Sequence, residues 1–463
     1  MTSSENHPTD PQDLEILHLR KENQELRATV QQLQAEIAAL REQLAEALRA
    51  AARQAAPFRR RQRLKVPDDK RKPPGRPPGH PGVCRSVPDH IDEHLVVPLN
   101  ETVCPDCGAA LESYRPVQQF IEDIPPVRPH VTEIVSYAAV CPRCGRELRS
   151  RHPLQTSKGE LAAAVQLGPR ALGLAASLSK EHGLTTRRVC AILRTLTGLK
   201  LSPGGLCQAL ARVAGRIRGE YEELVGRLRR SSAVFADETG WWVGGPKWWL
   251  WIFTTPDITL YRIDSFRGSQ IVTDTLGLDF KGCLVSDCLN TYDPAPYIKH
   301  KCIAHHLRAI SEAQECSGAV ESQYLKDWRT LFISVIVLHE SAGDVPPEQF
   351  SRMRQNLENR IDALLLTPRT NPAEEKVQRR LLKQRPHLLG CLYHLDAEPT
   401  NNRSERGLRP AVIARKLSCG NKTVAGSKTW ETITSLAATC RQNSQNFVDY
   451  LSQKLSVLPI PSG

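Results

Sequence analysis

The sequence predicts a multidomain α+β protein: an N-terminal coiled coil and a small zinc-ribbon-like module, then a helical domain and an α/β core carrying a helical insertion. Three observations carry this. A leucine heptad runs through residues 14–51, two Cys-Pro-x-Cys-Gly motifs stand 33 residues apart, and short apolar runs between 231 and 287 lead into carboxylates. The 463 residues suffice for about three domains with a sizeable core. A net charge of +12 points to a polyanionic partner. The longest apolar run, Leu331–Leu338, is far too short to span a bilayer. The Glu-rich N-terminus has neither signal-peptide nor transit-peptide character, so a cytoplasmic, reducing location is expected. The fourteen Cys then read as metal ligands or buried thiols rather than disulfides.

Residues 12–54 form the expected zipper. With Leu19, Leu26, Leu33 and Leu40 at heptad position d, Ile16, Asn23, Val30, Ile37 and Leu44 fall at a. β-Branched a residues with Leu at d favour a parallel two-stranded coil, and one buried Asn fixes register and chain number. The expectation is a homodimer or a higher oligomer. An amphipathic helix folded onto its own globule would not need strict 3.5-residue spacing.

Residues 57–83 form a basic linker. From Phe58 to Gly82 nine cations stand against Asp68 and Asp69. Arg59, Arg60, Arg61, Lys70, Arg71, Lys72 and Arg76 are the candidate DNA contacts among them. Pro73–Gly79 cannot form helix or central strand, and it presents Arg76 much as a minor-groove arm presents its arginine. A solvated spacer is the plain alternative; the position directly after a zipper favours nucleic acid.

Residues 84–152 read as a zinc-binding domain. Each Cys-x-x-Cys pair sets two thiolates on one tight turn, and the following Gly permits the left-handed backbone that aims amides at sulfur. Cys104, Cys107, Cys141 and Cys144 together complete one tetrahedral Zn2+ site, whereas a redox dithiol needs only one pair. Ile121–Ile124 and His130–Val140 read as the strands that bring the pairs together.

Residues 160–230 are patterned as helices: Pro169–Glu181 stopping near Gly183, a second from Thr185 to Leu196, and a third from the Ser202-Pro203 cap. With Arg187, Arg188 and Arg194 outward they suit either a helix-turn-helix reader or a spacer packed on the core.

The core occupies 231–318 and 396–463, split by an insertion at 319–395 that has no obvious chemistry. Ala233–Ala236 is a buried strand expected to end at Asp237. Trp248–Thr255 and Thr259–Ile263 flank Pro256-Asp257-Ile258 as a hairpin. Its tryptophans are expected mainly as core and sheet-face residues rather than base-stacking platforms. Cys283–Val285 then delivers Asp287. Two carboxylates at two strand ends suit one divalent metal, although each alone reads equally as a cap or turn residue. Cys302 heads a helix carrying His305 and Arg308 and running towards Glu315. A last helix starts near Thr400 or Asn401 as cap and carries Glu405 in its first turns, then Arg406, Arg409, Arg415 and Lys416. A carboxylate amid such cations makes sense if Glu405 shares a metal with Asp237 and Asp287 while the cations hold a nucleic-acid backbone.

These residues in this order resemble the IS66-type bacterial insertion-sequence transposases. The resemblance covers the zipper, the Pro-Gly-Arg-Pro-Pro-Gly-His-Pro-Gly linker at 74–82, the doubled cysteine motif and Ala236-Asp237-Glu238-Thr239. It continues through Ser286-Asp287 with Tyr292, Cys302-x-Ala304-His305 with Arg308, and Asn401-Asn402-x-x-Glu405-Arg406-x-x-Arg409-Pro410 with Arg415-Lys416. It implies a DDE transposase with an RNase H-like fold whose acidic triad matches Asp237, Asp287 and Glu405. Strand cleavage and strand transfer at the element ends would then use two Mg2+ (or Mn2+) ions, about 3.5–4 Å apart, with no covalent protein nucleophile. Carboxylates suit Mg2+ and thiolates suit zinc. His305 would orient the attacking water or a phosphate, or serve as a structural histidine. The implied partners are double-stranded DNA, at element ends and target, and accessory proteins of the same element, in the bacterial cytoplasm at the nucleoid. A catalytically silent, transposon-derived DNA-binding protein is the alternative. Loss of a triad carboxylate would be its signature, and all three are present.

Overall fold

The computed structural model describes residues 18–19, 21–34, 36–37, 85–112, 115–150, 152, 155, 165–316 and 322–457. The linker cations Arg59, Arg60, Arg61, Lys70, Arg71, Lys72 and Arg76 lie outside them, as do zipper positions Ile16, Leu40 and Leu44. The chain divides into two units, 1–121 and 122–463.

In the first unit, helix α1 spans 21–34. Leu19, Leu26, Val30, Leu33 and Ile37 are 49–59 % exposed, so among the described residues nothing covers the apolar seam. Residues 85–112 are extended apart from one cysteine turn.

The second unit opens with a small antiparallel pair, β1 (Ala138–Val140) and β2 (Glu147–Arg149). The strands expected at 121–124 and over 130–137 are not formed. Pro125, Pro126 and Pro129 withdraw ladder donors at the junction between them.

Four helices follow: α2 (Pro169–Ala176), continued by a π-helical turn Ser177–Glu181, then α3 (Thr186–Thr197), α4 (Pro203–Arg216) and α5 (Arg218–Arg229). The stops and starts are local. Gly183 and Gly198 adopt left-handed φ of 68° and 75°, and the Ser202 hydroxyl accepts from the Gly205 N–H at 3.0 Å with Pro203 in the first turn. Arg187, Arg188 and Arg194 are exposed. Inward-facing Leu193, Leu206, Val213 and Leu228 join Val234, Phe253 and Ile433 in one continuous core. These helices therefore pack on the sheet rather than forming a core of their own.

The sheet has five strands, β3 (Ala233–Trp241), β4 (Trp248–Thr254), β5 (Thr259–Asp264), β6 (Cys283–Ser286) and β7 (Ile298–Lys301), in the order β5-β4-β3-β6-β7. The first three pair antiparallel; β6 and β7 run parallel to β3. Helix α6 (Ser269–Leu276) makes the crossover from β5 to β6, and α7 (Ile303–Cys316) follows β7. β3 does not stop at Asp237 as the sequence suggested. It continues to Trp241 because β4 pairs with it from Phe235 through Trp241. Trp241 and Trp251 are buried, as expected of core tryptophans, while Trp242 is 39 % exposed.

The insertion comprises α8 (Gln323–Glu340), α9 (Pro347–Leu366), α10 (Pro372–Gln384) and α11 (Gly390–Tyr393). Trp328, Phe332, Val335 and Ile361 give it its own apolar centre, which also takes in Ile303 and Ile310 of α7. The chain closes with α12 (Asn402–Ser418), α13 (Val424–Gln442) and α14 (Phe447–Val457).

Helix α13 covers the outer edge of β5 in an unusual way. Glu431, Ser435 and Thr439, four residues apart on one face, accept from the backbone N–H groups of Ile263, Tyr261 and Thr259 at 2.9, 2.8 and 3.1 Å. The Thr439 hydroxyl donates in turn to the Thr259 carbonyl at 3.1 Å, the Ser435 hydroxyl donates to the Glu431 carbonyl of its own helix at 2.6 Å, and Gln442 reaches the Thr255 carbonyl at 2.6 Å. A row of helical side chains thus stands where another strand would pair, which satisfies an edge otherwise open to foreign strands.

Candidate active site

Three carboxylates from three elements converge on the face where α12 crosses β3. The parallel pairing of β3 with β6 sets Phe235 beside Val285; two residues on, the same register brings Asp237 level with Asp287. The Asp237 Oδ1 accepts from the Glu238 N–H at 2.8 Å, and the Asp287 Oδ1 from the Leu289 N–H at 2.9 Å. Both carboxylates are thereby steered by local backbone.

Glu405 sits in the first turn of α12. Asn401, at the cap position, does not cap the helix with its side chain. Fully buried, it donates instead through Nδ2 to the Ala236 carbonyl at 2.8 Å, and its N–H donates to Cys302 Sγ at 3.1 Å. One residue, through its side chain and its backbone N–H, therefore ties the start of α12 to β3 beside Asp237 and to the head of α7. The second tie is close packing. A Cβ on Gly407 would collide with Ile252 Cδ1, and the Gly407 carbonyl accepts from the buried Tyr261 hydroxyl at 2.6 Å.

Like charge accumulates here. Burial, then Glu238, Asp287 and Glu405, push the Asp237 carboxyl up to about 8. Among the described residues no Lys or Arg pairs with any of the three; the recorded ion-pair neighbour is His305, whose Nε2 lies 3.8 Å from Glu405 Oε1. Burial, with Arg308 nearby, lowers the pKa of His305 and favours the neutral ring, and its Nδ1 is buried without a hydrogen-bond partner. Among the described residues no three His, Cys, Asp or Glu side chains close into a ready-made metal cage.

Glu238 was not singled out from the sequence, although it follows Asp237 in the quoted motif. Its carboxylate accepts from the Tyr292 hydroxyl and from Arg267 Nη2 at 3.0 Å, so it links β3 to the loop that carries Asp287. Other acids near the site are spent on cations. Asp293 pairs with buried Lys301 at 3.0 Å, and Glu398 accepts from Arg403 Nε at 3.1 Å.

The expected phosphate-gripping cations divide. Arg406, Arg409 and Lys416 are exposed on α12. Arg415 donates to the Gly240 carbonyl and, at 3.3 Å, to the Thr239 hydroxyl. Its guanidinium is engaged in bracing the β3 extension.

Each cysteine turn, taken by itself, has the same form. The Cys104 N–H donates to the Ala109 carbonyl at 2.8 Å and the Gly108 N–H to the Cys104 carbonyl at 2.9 Å. The Cys141 N–H donates to Arg146 and the Gly145 N–H to Cys141 over the same two distances. Gly108 and Gly145 have φ of 72° and 69°, which favours glycine. Backbone amides, led by that of Asp106 for Cys104 and that of Cys144 for Cys141, lower both thiol pKa values. Cys107 and Cys144 are exposed.

Comparison with known proteins adds two findings. The family model described as "Transposase IS66 family" matches residues 164–429, from the helices before the sheet to the start of α13. "Uncharacterized protein y4qI" of Sinorhizobium fredii (strain NBRC 101917 / NGR234) is 24 % identical over 303 residues, 56 % of this chain and 54 % of that protein. The chain thus spans about half the length of this relative.

Proposed function

Because the chain belongs to the IS66 family of transposases, we propose that it cleaves and rejoins DNA at the ends of a mobile element, with Asp237, Asp287 and Glu405 as the acidic triad. The observation that carries this is the placing of Asp287 and Glu405 beside Asp237, three carboxylates with which no Lys or Arg among the described residues pairs. Adjacent antiparallel and parallel halves of one sheet, with helices packed against it, support the RNase H-like reading.

The donor set fits a divalent metal. Hard oxygens and unneutralised negative charge are what Mg2+ or Mn2+ selects, and a cation would offset the burial, and then the repulsion, that raise the Asp237 pKa. Asp237, Asp287 and Glu405 would hold the two ions, which supply Lewis acidity at the attacking and leaving oxygens. The chain's own residues do the rest. Asn401 and Gly407 fix Glu405 against β3, the Glu238–Tyr292 bond fixes the Asp287 loop, and neutral His305 orients a water or a phosphate oxygen. Arg406, Arg409 and Lys416 grip the DNA backbone.

Glu405→Gln should keep folding and DNA binding yet lose Mg2+-dependent cleavage of labelled element ends, while Glu398→Gln, whose carboxylate serves Arg403, stays active. Near wild-type cleavage by Glu405→Gln with a dead Glu398→Gln would overturn the triad.

In the same reading α1 pairs two copies through the zipper, and Cys104, Cys107, Cys141 and Cys144 hold one structural zinc per chain. The doubled spacing and the identical form of the two turns support the zinc. Elemental analysis should find one zinc per chain, lost in the double variant Cys104→Ser, Cys141→Ser; zinc retained by that variant would refute it.

A further inference from the structure

A cavity of about 390 Å³ lies beyond the carboxylates, between the edge strand β7 and α11. It is lined by Lys299, Arg385, His387, His394, Tyr393 and Glu358, among others. The walls are drawn together by Gly390, where any Cβ would collide with the Lys299 carbonyl.

Lys299 is 8 % exposed. Among the described residues its ammonium has no recorded hydrogen bond or ion pair. The ammonium reaches the cavity, and the opposite charge it feels, Asp293, already serves Lys301 and Lys383, so it keeps hydrogen bonds to offer a ligand. Its neighbours are already matched. Lys301, two residues along β7, is bonded to Asp293 at 3.0 Å and to Ser286 at 3.2 Å. Lys383 shares Asp293 at 3.5 Å, Arg385 is bidentate on Asp362 at 2.5 and 2.9 Å, and Glu358 accepts from the Tyr393 hydroxyl. The wall then presents one ammonium and two imidazoles, with the Glu358 carboxylate, held by the Tyr393 hydroxyl, on the same lining. Burial and the nearby Lys299 and Lys301 lower the pKa of His387, so its ring is a neutral donor. An ammonium with imidazole donors suits a tetrahedral oxyanion that accepts several bonds at once, and the volume exceeds that of a bare ion.

We propose that this pocket binds a phosphate of the DNA backbone, on a strand that runs along β7 away from the carboxylates. The identity of the polyanion rests on the transposase reading. The placement rests on register: Lys301 pairs with Ser286, next to Asp287, and Lys299 lies about 7 Å further back along the strand.

The test is duplex binding by the full chain, read as fluorescence anisotropy in EDTA between about 50 and 200 mM salt. Lys299→Gln should weaken binding about three- to tenfold at the low-salt end and make the slope of log K against log salt shallower by about one, with Lys299→Arg near wild type. His394→Ala, at the pocket wall, should shift affinity in the same direction and keeps the test open if Lys299→Gln does not fold, which thermal melting will show. Unchanged affinity and slope in folded variants overturns the proposal. If orthophosphate raises the melting temperature of wild type but not of Lys299→Gln, while duplex affinity is unchanged, the ligand is a free phosphate and the DNA assignment is overturned. Wild type that binds no duplex at all defeats the transposase reading along with it, whereas binding that Lys299→Gln leaves intact defeats this inference alone.

Discussion

Asp237 shows at the scale of one residue how this site is built at the expense of stability. Its carboxyl titrates near 3.8 when unperturbed and near 8 in the fold, chiefly through burial and then through three neighbouring carboxylates. Between those values the folded chain keeps a proton that the unfolded chain has released. Stability therefore falls as pH rises through that window, with the loss complete above about 8. Asparagine imitates the protonated form. Asp237→Asn should be more stable than wild type by a few kcal/mol in order of magnitude at about pH 8.5, with little difference near pH 4, by urea unfolding in EDTA. An advantage that does not change with pH would show that neither burial nor the neighbouring carboxylates raise the Asp237 carboxyl.

At the scale of elements, the placement of α12 and α13 on the sheet depends on polar side chains. The Ser435 hydroxyl accepts from the Tyr261 N–H at 2.8 Å while donating to the Glu431 carbonyl of its own helix. Ser435→Ala leaves a buried amide unpaired and should destabilise the protein by about 1–3 kcal/mol, measured by chemical denaturation. A change below about 0.5 kcal/mol would mean that water or a shifted helix replaces the hydroxyl. These contacts mark where the sequence was legible and where it was not. Strand runs such as Ala233–Ala236, the hairpin around Pro256 and the Ser202-Pro203 cap follow from local patterning, and they stand where local signals put them. The length of β3 depends on a partner strand, and the role of Asn401 depends on a carbonyl 165 residues away. Both read locally as a turn and a cap. Glu238 was passed over because its partners, Tyr292 and Arg267, are remote in sequence. Lys299 carries no motif; only its isolation within a cavity distinguishes it.

At the scale of the whole molecule, the proposed zipper makes a prediction about the number of chains. Leu19, Leu26, Val30, Leu33 and Ile37 lie along one helical stripe and are all about half exposed. The protein should sediment as a dimer at micromolar concentration, and Asn23→Val should tighten association while broadening the choice of chain number. A wild-type monomer under those conditions would contradict the zipper. The cover on β5 bears on how the molecule is made. Thr259 and Thr439, which complete that edge, are 180 residues apart, so at roughly 5–20 residues per second the ribosome needs about 10–40 s to deliver the second after the first. During that interval the hairpin has every strand it will ever have and an edge with no occupant. Nascent chains are then open to one another, and a product truncated within α13 would stay so permanently. Expression at lower temperature, or with a chaperone that holds emerging strands, should raise the soluble yield of the full chain far more than that of such a truncation.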